Sequence, residues 1–344
     1  MNNTIYRLIS PHEIKAEQAV INETDNQVIV KPTHMSICHA DQRYYQGMRP
    51  PEVLAKKLPM AIIHECIGTV EKDTSGSFKK GQRVALVPNT PFETDDIIAE
   101  NYLPSSKFRA SGYDGFMQDY VDMRPDRVIP VPDGIDNNVA AFTEICSVSY
   151  HVLNRFDKIA HLRRNTIGVW GEGNLGYITA LLLKKRFPES RLLIFGVVKE
   201  KLEEFTFADG IYQVNDIPED IRVDHAFECV GSSHSGTAVN QMINEVINPE
   251  GTIALMGVSE DPVPINTRMV LEKGLRLFGS SRSGNSDFAG YLNLCKNDPE
   301  VPELMKKVIG DVVDVNCIDD IHEAFRLDME NGSRKTVICW NLNK

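Results

Sequence analysis

Asn165-Thr-Ile-Gly-Val-Trp-Gly-Glu-Gly-Asn-Leu-Gly176 lies near the middle of this 344-residue chain and decides its fold. Its apolar part, 167–170, is typical of a buried strand, and a helical pattern ending in three basic residues, 184–186, follows the glycines. In G-x-G-x-x-G the first glycine permits a tight turn, the second lets a pyrophosphate approach, and the third lets the helix pack closely. The stretch therefore predicts a dinucleotide site, although a glycine-rich turn that binds nothing is the alternative. The predicted contacts are Gly171, Gly173, Asn174, Leu175 and Gly176.

The end of the next predicted strand, 191–195, indicates which dinucleotide binds. An acid about 20 residues after the motif usually accepts a hydrogen bond from the ribose 2′-hydroxyl. That position is Gly196, which offers no carboxylate. A carboxylate there would repel a 2′-phosphate by roughly 4 kcal/mol at ~4 Å and an effective dielectric of ~20. With Lys199 close by, the pattern favours NADP(H) over NAD(H), although Lys199 could simply begin a solvated helix face.

Strands and helices alternate beyond the glycine motif, which predicts an α/β fold with a parallel, doubly wound sheet. Residues from about 14 to 133 instead show short strands and turns, and a helix over about 137–156 leads into the nucleotide-binding half. A final strand, 335–340, is expected to pair with the amino-terminal half. The other predicted strands after the motif are 224–229, 252–257 and 275–278, and the predicted helices near the end are 286–297 and 319–331.

Composition narrows the function classes. A formal net charge of −11 argues against nucleic acid or an anionic membrane as the main partner. The chain starts without an apolar signal core and contains no apolar run long enough to span a membrane. Seven scattered cysteines indicate reduced thiols rather than a disulfide framework. We therefore expect a cytoplasmic protein.

A metal site is suggested by residues from three separate segments. Cys38 and His64 offer a thiolate and an imidazole, which are good zinc ligands, and a catalytic zinc needs three protein ligands and an open position. Glu144, at the start of the helix before the nucleotide motif, is the third candidate. Taken singly, each residue would more often be packed core or surface than a ligand.

The combination resembles the zinc-dependent medium-chain dehydrogenases in order and spacing. The motifs that carry the resemblance are Cys38-x-x-Asp41, His64-Glu65-x-x-Gly68, Gly81-x-Arg83-Val84, Glu144 and the glycine fingerprint. The resemblance implies Cys38, His64 and Glu144 as ligands of one catalytic Zn²⁺. It also implies Glu65 as a nearby carboxylate that can approach or replace a ligand, and Asp41 as the acid that orients the histidine. The implied domains are a GroES-like catalytic domain, 1–147, a Rossmann domain, 148–285, and a segment, 286–344, that returns to the first domain.

More narrowly, three segments look like the ribulose-5-phosphate reductases of ribitol-phosphate polymer synthesis: 37–45, 58–65 and 279–284. This resemblance implies NADPH-dependent reduction of D-ribulose 5-phosphate to D-ribitol 5-phosphate, the precursor of CDP-ribitol for teichoic acid or capsule. We expect a homodimer and a functional link to a cytidylyltransferase. The open alternatives are another zinc polyol dehydrogenase of the sorbitol or xylitol type, a nucleotide-binding redox sensor without catalytic activity, and a zinc-free quinone reductase.

The sequence departs from the family pattern at several places. Residues 88–112 contain no cysteine, whereas many relatives carry four there for a structural zinc, so we expect a single metal. Ile63 replaces the glycine usual before the ligand histidine, which we interpret as a small change in local packing. Ala40 replaces a proton-relaying Ser or Thr, which leaves a metal-bound water, Glu65 or His39 as the proton donor.

A phosphorylated sugar needs cationic contacts, for which arginine is best suited. Arg43 and Arg49 follow the first predicted ligand closely, and Tyr44 could flank the sugar. Arg282, just after a late strand of the nucleotide-binding half, could meet the cofactor or the substrate. Each arginine could equally be an ordinary solvated surface residue.

Overall fold

A computed structural model describes residues 1–342 of the chain. Its strands are numbered in chain order: β1 Asn2–Ser10, β2 Glu13–Val20, β3 Val28–Ser36, β4 Glu65–Asp73, β5 Arg83–Leu86, β6 Asn89–Thr90, β7 Lys107–Phe108, β8 Val121–Met123, β9 Val128–Pro130, β10 Thr166–Trp170, β11 Arg191–Gly196, β12 Gly210–Gln213, β13 Val223–Glu228, β14 Ile247–Leu255, β15 Arg276–Gly279, β16 Ile309–Val315 and β17 Lys335–Trp340. The last two residues of the predicted C-terminal segment, 343 and 344, lie outside the described residues.

The α-helices are short except for four. They are α1 His39–Tyr45, α2 Pro51–Lys57, α3 Asn137–Ala140, α4 Thr143–Ile159, α5 Asn174–Arg186, α6 Lys199–Leu202, α7 Ser235–Gln241, α8 Thr267–Glu272, α9 Asn285–Asn297, α10 Glu300–Met305 and α11 Ile318–Glu330. None of these helices, over residues 1–342, has both the length and the apolar character needed to cross a bilayer.

The chain divides into two compact units, of which residues 148–281 form one. This unit holds a six-stranded sheet in the order β12-β11-β10-β13-β14-β15, in which every pairing is parallel. The order reverses direction at β10, so the carboxyl ends of β10 and β13 form the switch point at which such sheets bind ligands. The glycine turn of the sequence motif follows β10 directly. The predicted parallel, doubly wound sheet is therefore confirmed.

The other unit combines residues 1–147 with the chain from Arg282 onward. Its larger sheet runs in the order β16-β17-β3-β4-β5-β9, with β8 also paired to β3, and two-stranded pairings β1-β2 and β6-β7 accompany it. The pairing of β17 with β3 is antiparallel and joins Ile338 to Met35, both of which are fully buried. The prediction that the final strand pairs with the amino-terminal half is therefore confirmed.

The structure differs from the sequence prediction in several elements, including the unpredicted strand β16. The single helix expected over 137–156 is two helices, α3 and α4, which are separated at residues 141–142. Strand β12 was missed altogether. It is a four-residue edge strand with alternating burial, and so short a segment gives little periodic signal.

The segment that lacks the four cysteines of many relatives is held by a buried arginine. Arg127 donates from Nη1 to Glu100 Oε1 at 2.7 Å and from Nη2 to Glu100 Oε2 at 3.1 Å, and its side chain is only 4% exposed. Nη1 also donates to the Asn89 carbonyl at 3.2 Å, and Glu100 Oε1 accepts from the Asn285 amide at 2.7 Å. One guanidinium and one carboxylate thus connect β6, the 100–102 turn and the start of α9.

We predict that Arg127→Leu lowers the free energy of unfolding by about 2–4 kcal/mol, because Glu100 loses its charged partner. Arg124→Leu is the matched control: Arg124 pairs with Asp126, and both side chains are more than 40% exposed, so the loss should stay within about 1 kcal/mol. Urea denaturation of both variants measures the difference. Equal destabilisation by the two substitutions would contradict the role assigned to Arg127.

Candidate active site

Three potential metal ligands meet in the unit that contains the amino terminus. Cys38, His64 and Glu65 each offer one ligand atom, and these atoms all lie within 4.8 Å of one another. Within residues 1–342, no other set of three or more His, Cys, Asp or Glu side chains is grouped in this way. Cys38 immediately precedes α1, and Glu65 begins β4, so ligands 27 residues apart in sequence converge where the end of β3 pairs with the start of β4.

Asp41 joins these two segments. Its Oδ2 accepts from the Cys38 amide at 3.1 Å, whereas Oδ1 accepts from the Ile63 amide at 3.0 Å and faces His64 Nδ1 at 3.3 Å. The side chain is 1% exposed. A carboxylate only accepts hydrogen bonds, so His64 carries its proton on Nδ1 and directs Nε2 away from Asp41. This is the arrangement in which an acid fixes the tautomer of a metal-binding histidine.

The charge around His64 is strongly negative. Burial by itself lowers the pKa of His64, but the nearby Asp41 and Cys38 raise the pKa well above its usual value. A site that stabilises positive charge on an imidazole without a metal would also stabilise a divalent cation in the same place.

Glu65 is fully buried and lies beside a buried lysine that the sequence did not suggest. Lys335 Nζ donates to Glu65 Oε1 and to the Ile37 carbonyl, each at 2.7 Å. Burial raises the pKa of Glu65, while proximity to Glu65 raises the pKa of Lys335 despite burial, so Lys335 is charged at neutral pH. Glu65 Oε2 has no hydrogen-bond partner. A buried carboxylate oxygen without a partner is a good fit for a metal ion.

Glu144 lies in the first turn of α4 and is also buried, but it is not part of the three-residue group. The pKa of Glu144 is raised to about 7, mainly by burial; His64 lowers it and the neighbouring Glu65 raises it. Glu144 therefore lies close enough to His64 and Glu65 for their charges to change its pKa. The prediction that Glu144 is a zinc ligand stays a prediction, and Glu65 is the acid that the structure brings to Cys38 and His64.

The glycine turn has the shape that a pyrophosphate requires. Gly171 has a φ of +111°, and a Cβ on it would lie 2.8 Å from the Cys229 carbonyl oxygen. A Cβ on Gly176 would lie 1.8 Å from the Gly171 oxygen, whereas a Cβ on Gly173 would meet no atom within 4 Å. The outer two glycines are thus required by packing, and the space beside the middle one is open. Asn174 and Leu175 are the first two residues of α5, where amide groups remain free for an anion.

The remaining predicted cofactor-binding residues, Gly196, Lys199 and Arg282, are divided between the two units. Gly196 ends β11, and Lys199 begins α6, with its Nζ 3.8 Å from Glu203 Oε1. Arg282 belongs to the unit that contains the metal ligands. Its guanidinium carbon lies 4.9 Å from the centroid of the Phe108 ring, and that ring lies 5.3 Å from the His64 ring. Glu228, at the end of β13, uses its carboxylate to bind the amides of Val230, Gly231 and Gly257.

Several cations lie around α1. Arg49 and Lys57 both contact the Tyr44 ring, at 4.9 Å and 5.7 Å from its centroid, while Tyr44 itself is 3% exposed. Burial lowers the pKa of His39, next to Cys38, and the positive charges of Arg43 and Arg49 lower it further. The predicted Arg43, Tyr44 and Arg49 therefore lie together near the first ligand. Lys57 was missed because it belongs to the following helix, α2, whose exposed charges look like a solvated face.

Comparison with known proteins places these features in a family. The alcohol dehydrogenase GroES-like domain matches residues 24–133, and the zinc-binding dehydrogenase domain matches residues 196–297. Together with the parallel sheet and the glycine turn, these matches define an oxidoreductase of the zinc-binding dehydrogenase class, with a GroES-like and a Rossmann part.

Full-length relatives narrow the class. The chain is 53% identical over 344 residues to the ribulose-5-phosphate reductase of Bacillus spizizenii, covering 99% of this chain and 100% of that protein. It is 49% identical over 340 residues to ribulose-5-phosphate reductase 1 of Staphylococcus aureus, covering 99% of each. The crystal structure of S. aureus TarJ in complex with NADPH matches with a TM-score of 0.89 and 44% identity, covering 99% of this chain and 100% of that one. The chain belongs to the ribulose-5-phosphate reductase family.

We predict that Lys335→Met lowers the free energy of unfolding by about 3–5 kcal/mol in chelator-treated protein, because Glu65 is left as a buried charge without its partner. The double substitution Lys335→Met with Glu65→Gln should recover part of that loss, since the uncompensated charge is then gone. Chemical denaturation of the single and double variants measures both effects. Additive losses in the double variant would show that the two side chains are not energetically coupled.

Proposed function

We propose that this protein reduces D-ribulose 5-phosphate to D-ribitol 5-phosphate with NADPH, with one zinc ion bound by Cys38, His64 and an acidic residue. The observation that carries the proposal is the convergence of Cys38, His64 and Glu65 within 4.8 Å, in a chain whose full-length relatives are ribulose-5-phosphate reductases. NADPH, when bound, would supply the hydride for the ketone carbon, and the ketone oxygen would take up a proton. Zinc, when bound, supplies a Lewis acid that stabilises negative charge on that oxygen.

The residues of the chain prepare this chemistry. Asp41 holds His64 in the tautomer that leaves Nε2 for the metal, and Lys335 fixes one oxygen of Glu65 while Oε2 is left for a cation. Gly173 leaves space for the pyrophosphate of the dinucleotide, and the amide groups at the start of α5 face its negative charge. His39 lies next to Cys38. Burial and the nearby Arg43 and Arg49 lower its pKa, so we propose that its imidazole relays the proton to the substrate oxygen.

The phosphate of the substrate fits the cations around Tyr44. Arg49 and Lys57 both approach one buried aromatic ring, so the ring holds two positive charges close together in a defined place. Arg43 adds a third charge near His39. A phosphate monoester carries nearly two negative charges at neutral pH and is well matched to such a group. We propose Arg49 and Lys57 as the main phosphate contacts, with Tyr44 holding them in place.

We propose a cytoplasmic location, which suits seven free thiols, Cys38 among them. Assembly as a homodimer, a functional link to a cytidylyltransferase, and supply of ribitol phosphate for teichoic acid or capsule stay predictions of the sequence.

We predict that Cys38→Ala retains the fold and NADPH binding but loses its zinc and on the order of a hundredfold or more in kcat, because a ligand of the Lewis acid is removed. The assay follows NADPH oxidation with D-ribulose 5-phosphate before and after chelation, together with metal analysis. Cys317→Ala, which removes an exposed thiol, is the control and should behave like the parent. Normal turnover by zinc-free Cys38→Ala would refute the metal-dependent mechanism.

We predict that Arg49→Met and Lys57→Met each raise KM for D-ribulose 5-phosphate roughly tenfold, because each removes one charge-assisted contact to the phosphate. KM for an unphosphorylated ketose such as D-ribulose should change little. Lys56→Met is the control, since Lys56 is an exposed neighbour on the same helix. An equal rise in KM for both ketoses would remove the residue concerned from the phosphate site.

A further inference from the structure

A carboxylate lies at the end of β11 even though the sequence has glycine there. Glu172, the second residue of the glycine turn, directs its side chain to this point, and its Oε1 accepts from the amides of Val197 and Val198 at 3.1 Å and 3.0 Å. The strand pairing explains why they meet: Trp170 on β10 is the partner of Phe195 on β11, so Glu172 and Gly196 lie at neighbouring strand ends.

The position of the Glu172 side chain requires a residue without a Cβ at 196. A Cβ on residue 196 would lie 2.5 Å from Glu172 Oε2 and 2.8 Å from its carboxyl carbon, which is closer than non-bonded atoms can approach. An acidic side chain at 196 therefore cannot coexist with this position of Glu172. A carboxylate is therefore present at this point, contrary to the prediction from the sequence, because Glu172 supplies it from the adjacent strand end.

The position matters for the choice of cofactor. In dinucleotide-binding folds, an acid at the end of this strand binds the ribose 2′-hydroxyl, which carries a phosphate in NADPH and none in NADH. Glu172 places a negative charge at that point and occupies two amides that could otherwise bind phosphate oxygens. The nearby Lys199 and Lys201 act in the opposite sense, because their positive charges favour a 2′-phosphate.

We propose that Glu172 is a specificity-determining residue that limits the preference for NADPH over NADH. Its carboxylate leaves the amides of Val197 and Val198 when a 2′-phosphate binds, and stays to accept a hydrogen bond from the ribose 2′-hydroxyl of NADH. This inference rests on the proposed use of NADPH. It differs from a purely structural role, in which Glu172 would only hold the 197–198 loop and its loss would weaken both cofactors alike.

The test is equilibrium binding of NADPH and NADH, followed by nicotinamide fluorescence in the absence of sugar substrate. In Glu172→Gln the amide oxygen still accepts from the two backbone amides, so the loop keeps its hydrogen bonds while the charge is lost. We expect the ratio of the two dissociation constants to shift at least tenfold in favour of NADPH, with tighter NADPH binding and weaker NADH binding. Glu200→Gln removes an exposed charge from the neighbouring α6 and should leave the ratio within twofold of the parent.

Other outcomes separate the two proposals. A ratio in Glu172→Gln within twofold of the parent, or a shift towards NADH, overturns the role of Glu172. Equal weakening of both cofactors assigns it to loop structure alone, which also overturns the role. Failure of the unsubstituted protein to bind NADPH contradicts the proposed function instead, whatever the variants do. Thermal melting of each variant identifies any loss of fold, and Glu172→Ala repeats the binding test with the whole side chain removed.

Discussion

The buried carboxylate of Asp41 is the interaction on which the metal site depends. It binds the amide of Cys38, the amide of Ile63 and the ring of His64, so one side chain sets the distance between two ligands and the tautomer of one of them. Three donors satisfy an acid that is almost completely removed from water, which makes its burial tolerable. Because Asp41 accepts hydrogen bonds from two backbone amides as well as from the His64 ring, it fixes the local backbone in addition to orienting the ligand.

The same carboxylate helps to hold a strained residue. Ile63 has a φ of +70°, in the left-handed region that β-branched residues rarely adopt, and such a conformation costs about 1–3 kcal/mol. Its amide donates to Asp41, its carbonyl accepts from the Phe116 amide at 2.8 Å, and its side chain is fully buried. The expectation of a small packing change at this position was therefore wrong. The left-handed conformation, which glycine adopts without strain, is kept here by surrounding contacts immediately before the ligand histidine.

The parts of the site that could be predicted carry their signal locally. The glycine turn, Cys38 with Asp41, and His64 with Glu65 each lie within a few residues, so their combined order and spacing carried the family resemblance that implied the chemistry. Lys335 could not be found in this way, because its partner Glu65 is 270 residues away and its own surroundings read only as the start of a strand. The break between α3 and α4 was not predicted either, because tertiary packing can override the local helix propensity of a segment.

Glu172 shows a more general limit of assigning roles by sequence position. A motif rule asks which residue stands at the end of one strand, but a binding site is defined by which atoms occupy a volume. Parallel strands in register bring their ends together, so a side chain from the turn after β10 can fill the space that a side chain after β11 would otherwise take. Glycine at 196 is then better understood as room for the neighbouring carboxylate than as a missing acid. If Glu172 has the role proposed above, the choice of dinucleotide depends on the balance between its charge and those of Lys199 and Lys201, rather than on any single position.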